Sequence, residues 1–434
     1  MVKNLDIVLN AGQRAASDGF FEFLLGEENE IIISGAGGVG KTFTMGYMID
    51  QIMPRYFEMC KMLGIPVQYN QVVMCATTNK AAEVLSLATG REAITIHSFL
   101  NLKVQDDYRT GRTTLSKNGN WRVHQNMIIF IDECSMIDSP LRNMLHEGTF
   151  NCKIVYVGDH SQLAPVMETL SPIYRDNLKM FELTEPMRTD KQALLDVNQQ
   201  LRETVATGEF KPIQIVPGVI DLLNDDEALE EIDQVFIDPE VNARILAYTN
   251  SRVLQYNDYI RNLRNLPDDF IVGEHVINNS AVRIGKSGLS VEQEVEIIAR
   301  SEQTEVIKMA DGAELVVARA DLETRLGGVF SGVPLPVDRD HYNALSDYYR
   351  NRKNWVAYFH LKNTYPDLRQ RDACTVHKSQ GSSYDTTYID LTNLSTCRNP
   401  ALASRLMYVA FSRARNRVAL FGKLAPKFGG LIEQ

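Results

Sequence analysis

The sequence predicts an α/β protein with two parallel-sheet domains, the first interrupted by a hairpin and the second by a larger, mostly β insertion. Three observations carry this. Short apolar runs without polar alternation recur between helical stretches, as parallel strands covered on both faces do. The pattern starts near Glu30, restarts near Arg244 and resumes after Arg371. Its first run leads directly into a glycine-rich loop and then a helix, the junction on which phosphate-binding sheets are built.

Taken in order, Glu30–Ser34 (EIIIS), Val72–Ala76, Met127–Ile131 and Lys153–Val157 read as buried strands. Helices are expected at Thr42–Lys61, Asn79–Ala88 and Asp138–His146. Such alternation makes βαβ units and a parallel sheet. Lys103–Asn120 (KVQDDYRTGRTTLSKNGN) breaks it, with turn signals at Thr110-Gly111 and Asn118-Gly119. It reads as an inserted hairpin, with a plain surface loop as the alternative. Arg244–Tyr248 is a strand candidate and Ser251–Leu263 a helix candidate. From Phe270 to about Ala320 the chain is strand-like, with glycine turns at Gly273, Gly285, Gly288 and Gly312. Val291–Ala299 and Glu314–Arg319 look like barrel strands, and Asp340–Lys362 is aromatic, basic and helical in character. The segment 270–371 is therefore read as an insertion in a second α/β domain.

Composition narrows the function classes. The 434 residues, 44% hydrophobic, exclude a mainly disordered chain and are ample for a large core. No apolar run approaches the roughly 18 residues of a membrane helix. The start, MVKNLDIVLNAGQ, lacks a basic segment followed by an apolar core, so a cytoplasmic chain without signal peptide is expected. The net charge of −10, from 45 Lys+Arg against 55 Asp+Glu, argues against coating nucleic acid by bulk charge. A local basic groove remains compatible with it. The six cysteines (Cys60, Cys75, Cys134, Cys152, Cys374, Cys397) lack zinc-clip spacing and read as isolated buried thiols.

Three strand ends carry chemistry. Gly35–Thr42 is GAGGVGKT, matching G-x-x-x-x-G-K-[ST] between a strand and a helix. Gly35, Gly37, Gly38 and Gly40 let the backbone wrap phosphate oxygens, Lys41 would reach the β- and γ-phosphates, and the Thr42 hydroxyl would bind Mg²⁺. Phe43, next in the chain, joins the nucleotide-binding candidates. Met127–Cys134 (MIIFIDEC) ends in two carboxylates. Asp132 would hold the Mg²⁺ shell and Glu133 would take a proton from attacking water. Val157–Val166 (VGDHSQLAPV) places Gln162 past a third strand, where it could sense the γ-phosphate. Arg188 in LTEPMRTD and Arg413 in YVAFSRAR are candidates for stabilising transition-state charge, although physics alone reads either as a surface residue.

The order GAGGVGKT, CATTNKAAEVL, TIHSFL, FIDECSM, GDHSQLAPV, LTEPMR, TVHKSQGSSYD and LMYVAFSRAR resembles superfamily 1 helicases of the 5′-to-3′ branch, the RecD-like family with its Dda-type members. The match runs from Gln13 to about Leu420. DFIVGEHVI at Asp269–Ile277 looks like the entry to the second accessory domain of Dda-type enzymes. The resemblance implies two RecA-like domains: 1–185, with a pin hairpin at about 98–124, and 186–269 with 372–434. Residues 270–371 would form a small Src-homology-3-like barrel and a helical tower. It also implies ATP and Mg²⁺ as cofactors, and an enzyme that unwinds duplex DNA in replication or recombination of a phage or bacterium.

Carried over residue by residue, the resemblance makes Gln13, 28 positions before Lys41 (41 − 13), a reader of adenine. It makes Arg188 and Arg413 two arginine fingers, and gives Lys41, Thr42, Asp132, Glu133 and Gln162 the roles stated above. A single-stranded DNA track would use Thr78, His97 and Ser98 on the first domain. Asn250, His377, Lys378 and Ser379 would serve on the second, mostly through phosphate contacts. Tyr108 and Trp121 are the aromatic candidates for the pin, and Tyr348–Lys362 resembles the tower that braces it. Partners would be single-stranded and forked duplex DNA, with a single-strand-binding protein or replisome components, for a monomer without membrane attachment. Two departures are visible: Ser412 precedes Arg413 where the family more often has threonine, and Thr77 stands where proline is common. A non-unwinding P-loop DNA translocase, or an RNA helicase of the same superfamily, remains open, since nothing in the residues reads a 2′-hydroxyl.

Overall fold

The computed structural model describes residues 8–165, 168–284 and 287–433. The turn expected at Gly285 and the last residue of VGDHSQLAPV, Val166, lie outside these. Contacts divide the chain into two units, one comprising the chain up to Asn101, Gly119–Asp225 and Ser379 onward, the other Leu102–Asn118 and Asp226–Lys378.

The first unit is built on a six-stranded sheet in the order Lys179–Leu183, Glu30–Gly35, Lys153–Gly158, Met127–Asp132, Gln71–Ala76, Ala93–Thr95. Every adjacent pair is parallel. Burial explains the sequence pattern: Ile31, Ile33, Ile128, Phe130, Val155 and Val157 pack with Phe20 and Phe23 of the helix Ala11–Leu25 and with Met45, Met48 and Tyr56 beyond the glycine loop. Parallel topology brings the carboxyl ends of Glu30–Gly35, Met127–Asp132 and Lys153–Gly158 to one edge. The unit also holds a parallel set of Ile220–Leu223, Ala414–Phe421 and Tyr384–Asp390. The helices Gln192–Thr207 and Pro400–Ser412 pack together beside it.

The expected helix over Thr42–Lys61 forms in three pieces: α-helical Lys41–Tyr47, a π turn at Met48–Ile52, and α-helical Met53–Leu63. Pro54, in the first turn of the last piece, is the cause, because its ring would clash with the carbonyl one turn earlier. An extra residue in the preceding turn relieves the clash.

In the second unit Ala243–Ala247 pairs in parallel with Ala373–Thr375, beside the helix Asn250–Leu263. The insertion is a five-stranded sheet in the order Val329–Pro336, Glu314–Thr324, Glu294–Lys308, His275–Asn278, Leu368–Gln370. Its inner face buries Val276, Val295, Ile297, Leu322 and Val333. The strand expected at Val291–Ala299 starts later and runs on to Lys308, and its partner runs to Thr324. The stretch Asp340–Lys362 is two helices, Arg339–Asn351 and Trp355–Thr364. Lys353 between them has φ 57°, and the Asn354 side chain accepts the Ala357 N–H (3.3 Å), capping the second helix.

The expected hairpin exists as antiparallel Leu102–Asp106 and Thr113–Lys117. Its tip is closed by the Asp107 carboxylate, which accepts the Arg109 N–H (2.8 Å) and the Thr110 hydroxyl (2.6 Å). It rests on the helix Trp355–Thr364: Asn363 donates to Asp106 (2.9 Å), and the Tyr108 ring meets the Phe359 ring edge-on at 5.5 Å. Among the described residues, no helix is long and apolar enough to cross a membrane.

Candidate nucleotide site and strand-facing segments

The glycine loop follows the buried strand Glu30–Gly35, and its backbone explains its composition. Gly38 (φ 87°) and Gly40 (φ 83°) are left-handed, which side chains resist. Lys41 folds back over the loop, its Nζ donating to the carbonyls of Gly35 and Ala36, both at 2.9 Å. Thr42 is half-buried in the first turn of the helix, whereas Phe43 is exposed on its outer side.

Two strands away lie the acids. The Asp132 carboxyl is pushed up to about 7 by burial, with the neighbouring Glu133 adding to the rise and Lys41 opposing it. A bound divalent cation would restore the charged form, and a carboxylate with a threonine hydroxyl suits a hard cation such as Mg²⁺. Glu133 turns the chain out of the strand in the left-handed region (φ 53°), and its N–H donates to Asp132 (2.9 Å). Such a conformation is disfavoured for a residue other than glycine.

The arginines converge on the loop. A methyl group placed on Gly37 would lie 3.3 Å from Arg188 Nη1 and 3.5 Å from Arg413 Nη2. Arg413 is 1% exposed and donates to the Val409 carbonyl (3.1 Å), the Ser382 carbonyl (3.2 Å) and the Ser412 hydroxyl (2.8 Å). Arg188 donates to the Ser412 carbonyl (2.8 Å), and the Met187 N–H reaches the Gly38 carbonyl (2.6 Å). Burial, with repulsion from Arg413 and Arg415, draws the Arg188 guanidinium down to about 10. Cations buried beside one another at a ring of backbone N–H groups make an anion site.

Two buried glutamines complete it. Gln13 Oε1 accepts the Asn10 N–H (3.2 Å) in a capping box, while its Nε2 has no partner among the described residues. That Nε2 would lie 2.7 Å from a methyl group on Gly40. An unpaired buried amide beside the loop fits a base-edge acceptor. Gln162 is 2% exposed and its Oε1 also lacks a partner among the described residues, the acceptor expected of a residue that orients water.

The strand-facing candidates are differently placed. Thr78 caps the helix Asn79–Thr89, accepting the Ala81 N–H (3.1 Å). Thr95 caps the short turn carrying His97 and Ser98. In the second unit Thr249 caps the helix that begins at exposed Asn250, and the Thr375 hydroxyl accepts the Lys378 N–H (3.3 Å). The sequences T-I-H-S and T-V-H-K thus use the same threonine turn, and burial draws both imidazoles, His97 and His377, below the usual histidine range. Lys378 Nζ is bonded to Asn279 and lies 3.6 Å from Glu292. Ser379, by contrast, is fully buried. Tyr108 is 54% exposed at the hairpin tip. Trp121 is not on the hairpin; it is half-buried, with its ring against Gly148.

Residues 24–168 match the model of an AAA domain, and residues 372–421 that of a UvrD-like helicase C-terminal domain. The chain is 24% identical to the ATP-dependent DNA helicase dda of Enterobacteria phage T4, over 94% of its own length and 98% of that protein. The chain is similar to superfamily 1 helicases. An uncharacterised protein of Acanthamoeba polyphaga mimivirus is 22% identical to this helicase over 95% of the chain and 99% of the relative. Its fold is similar to that of Pif1 helicase from Bacteroides in complex with ADP-AlF3 and ssDNA, with TM-score 0.53, 14% identity, and 98% and 95% of the two chains covered. It is similar also to Pif1 helicase from Candida albicans, with TM-score 0.51, 16% identity, and 98% and 97% covered.

Four residues of this helicase's site escaped the sequence reading. Tyr408 donates to buried Asp159 (2.5 Å) and accepts the Gly37 N–H (3.4 Å). Arg405 donates to the carbonyls of His160 (2.6 Å) and Gln162, holding the loop that carries the glutamine. Gln380 donates to Glu133 (3.4 Å). The available signal was helical spacing: Arg405, Tyr408 and Ser412 share the face of Pro400–Ser412 that turns toward Arg413.

Proposed function

We propose that this protein is an ATP-dependent DNA helicase that translocates 5′ to 3′ on single-stranded DNA and separates duplex ahead of it. The observation that carries the reading is the convergence of Arg188 and Arg413 on Gly37 of the phosphate loop. ATP would lie with its base at Gln13 and its phosphates along Gly35–Thr42. Thr42 and Asp132 would hold Mg²⁺, which would supply charge neutralisation for the phosphates. Lys41 leaves the loop carbonyls for the terminal phosphate. Glu133 takes the proton of the attacking water while Gln162 orients that water, and the two guanidiniums meet the charge that develops on the equatorial oxygens.

Thr78, His97, Ser98, Asn250, His377 and Lys378 would hold the strand, chiefly by its phosphates. Tyr108 at the hairpin tip would meet the first base pair, braced by the tower. Ser379 and Trp121 serve the reading as supports. Domain limits of 1–185, 186–269 with 372–434, and 270–371 belong to the same proposal, as do a monomeric state, the cytoplasm (that of the host, for a phage), replication or recombination as setting, and single-strand-binding or replisome proteins as partners.

Glu133→Gln should still bind ATP and single strands while turnover falls by about 100-fold or more. Normal turnover would overturn the assigned base. Duplexes with a single 5′ or 3′ tail, with and without ATP, test the rest: only the 5′-tailed DNA duplex should open. A preference for RNA strands, or movement without opening, would decide for the RNA helicase or the translocase.

A further inference from the structure

The base of the reaction, Glu133, sits at the end of a strand in a conformation that its own backbone disfavours (φ 53°). Something must hold it there, and the first unit provides two tethers. The Thr77 hydroxyl donates to the Glu133 carbonyl (3.3 Å). Gln380 Nε2 donates to the Glu133 carboxylate and to the Ser135 hydroxyl, each at 3.4 Å. Gln380 is 8% exposed, and its Oε1 has no partner among the described residues. The following Gly381, left-handed at φ 80°, brings the backbone close, for a methyl group there would stand 3.8 Å from Glu133 Oε1.

The two tethers share a position in the sequence. Thr77 immediately precedes Thr78, and Gln380 follows Lys378 and Ser379. Both belong to the segments assigned above to the DNA strand. Thr77 is also where the family commonly has proline, a residue with no hydroxyl to give. We propose that Thr77 and Gln380 are positioning residues that report strand occupancy to Glu133, so that DNA held by the adjoining residues sets the carboxylate for proton transfer. A shift of either segment on binding phosphate moves a hydrogen bond that ends on the base itself. Misplacing a reacting group by about 1 Å can cost on the order of 100-fold in rate. The half-used amide of Gln380 leaves it free to change partners as the segment moves.

The inference rests on the helicase reading, and the test separates the two. ATP turnover of the full chain is measured with and without a saturating deoxythymidine oligonucleotide. Gln380→Ala should cut the ratio of stimulated to unstimulated kcat by about 10-fold, with KM for ATP changed no more than about 2-fold. Gln380→Glu, which keeps the length but sets a second carboxylate beside Glu133, should cut it further. Thr77→Val should lower the ratio by about 3-fold, and Thr77→Ser should restore it. An equal fall of both rates, or an undiminished ratio in Gln380→Ala, overturns the proposal. If Glu133→Gln is inert yet Gln380→Ala keeps its stimulation, only this inference fails. If Glu133→Gln turns over normally, the base assignment fails with it.

Discussion

Arg405 shows how a residue with no visible motif role can govern one that has it. Its guanidinium lies among carbonyls of the loop bearing Gln162, and burial lowers its pKa from the ordinary arginine value. A planar fork that bonds two carbonyls at once is a geometry that a lysine ammonium lacks. Arg405→Ala should therefore lower ATP turnover by about 10-fold with a smaller effect on nucleotide affinity, and Arg405→Lys should not rescue it; steady-state ATPase kinetics check both. The same residues show where sequence reading ends. Lys41, Asp132 and Glu133 were legible because each follows a strand within a few positions. Gln13, Arg188 and Arg413 were legible only through the order of motifs. Tyr408 and Asp159 meet across 249 positions, and no local pattern encodes such a pairing. Trp121 was misjudged for the opposite reason: an aromatic residue near a hairpin is equally at home packed on a glycine.

At the scale of elements, legibility followed burial. Four strands of the six-stranded sheet were readable from their apolar runs, clearest where both faces are covered, whereas short Ala93–Thr95 and mostly exposed Lys179–Leu183 carry no such run. Beyond Ile297 the strand Glu294–Lys308 has mostly exposed or half-exposed residues, so neither alternation nor an apolar run marks its length. The break near Lys353 and the π turn before Pro54 are set by capping and ring sterics, which periodicity does not register. The hairpin was legible through its turns, and a third contact adds to the Asn363 and Phe359 contacts that support it. Gly111 has φ 71°, and a methyl group on it would stand 2.5 Å from the Trp355 ring. Gly111→Ala should push the hairpin off the helix Trp355–Thr364. The expected result is a fall in duplex unwinding of about 10-fold, with strand-stimulated ATP turnover held within about 3-fold. Parallel loss of both activities would show that the hairpin does not act on the duplex alone.

Acid stability is a property of the whole molecule. His97, His124, His160 and His377 all have pKa values lowered by burial. Each resists protonation when folded but takes a proton near pH 6.5 when unfolded, so each costs stability as pH falls below about 6.5. Asp132, raised to about 7, works in the opposite sense, so a paired comparison isolates one histidine. His124 stacks on Phe99 at 4.1 Å and bonds its carbonyl at 2.9 Å. His124→Asn should melt lower than the parent at pH 7.5, and the gap should narrow toward pH 5 because the variant has no imidazole to charge; thermal melts across that range decide it. The guanidiniums of Arg188 and Arg413 have a consequence of another kind. Like charges wedged together beside the phosphate loop repel one another, and a bound anion would relieve that repulsion. An anion that relieves this repulsion is held by it, so release of phosphate is expected to slow each cycle, and neutralising either guanidinium should speed it.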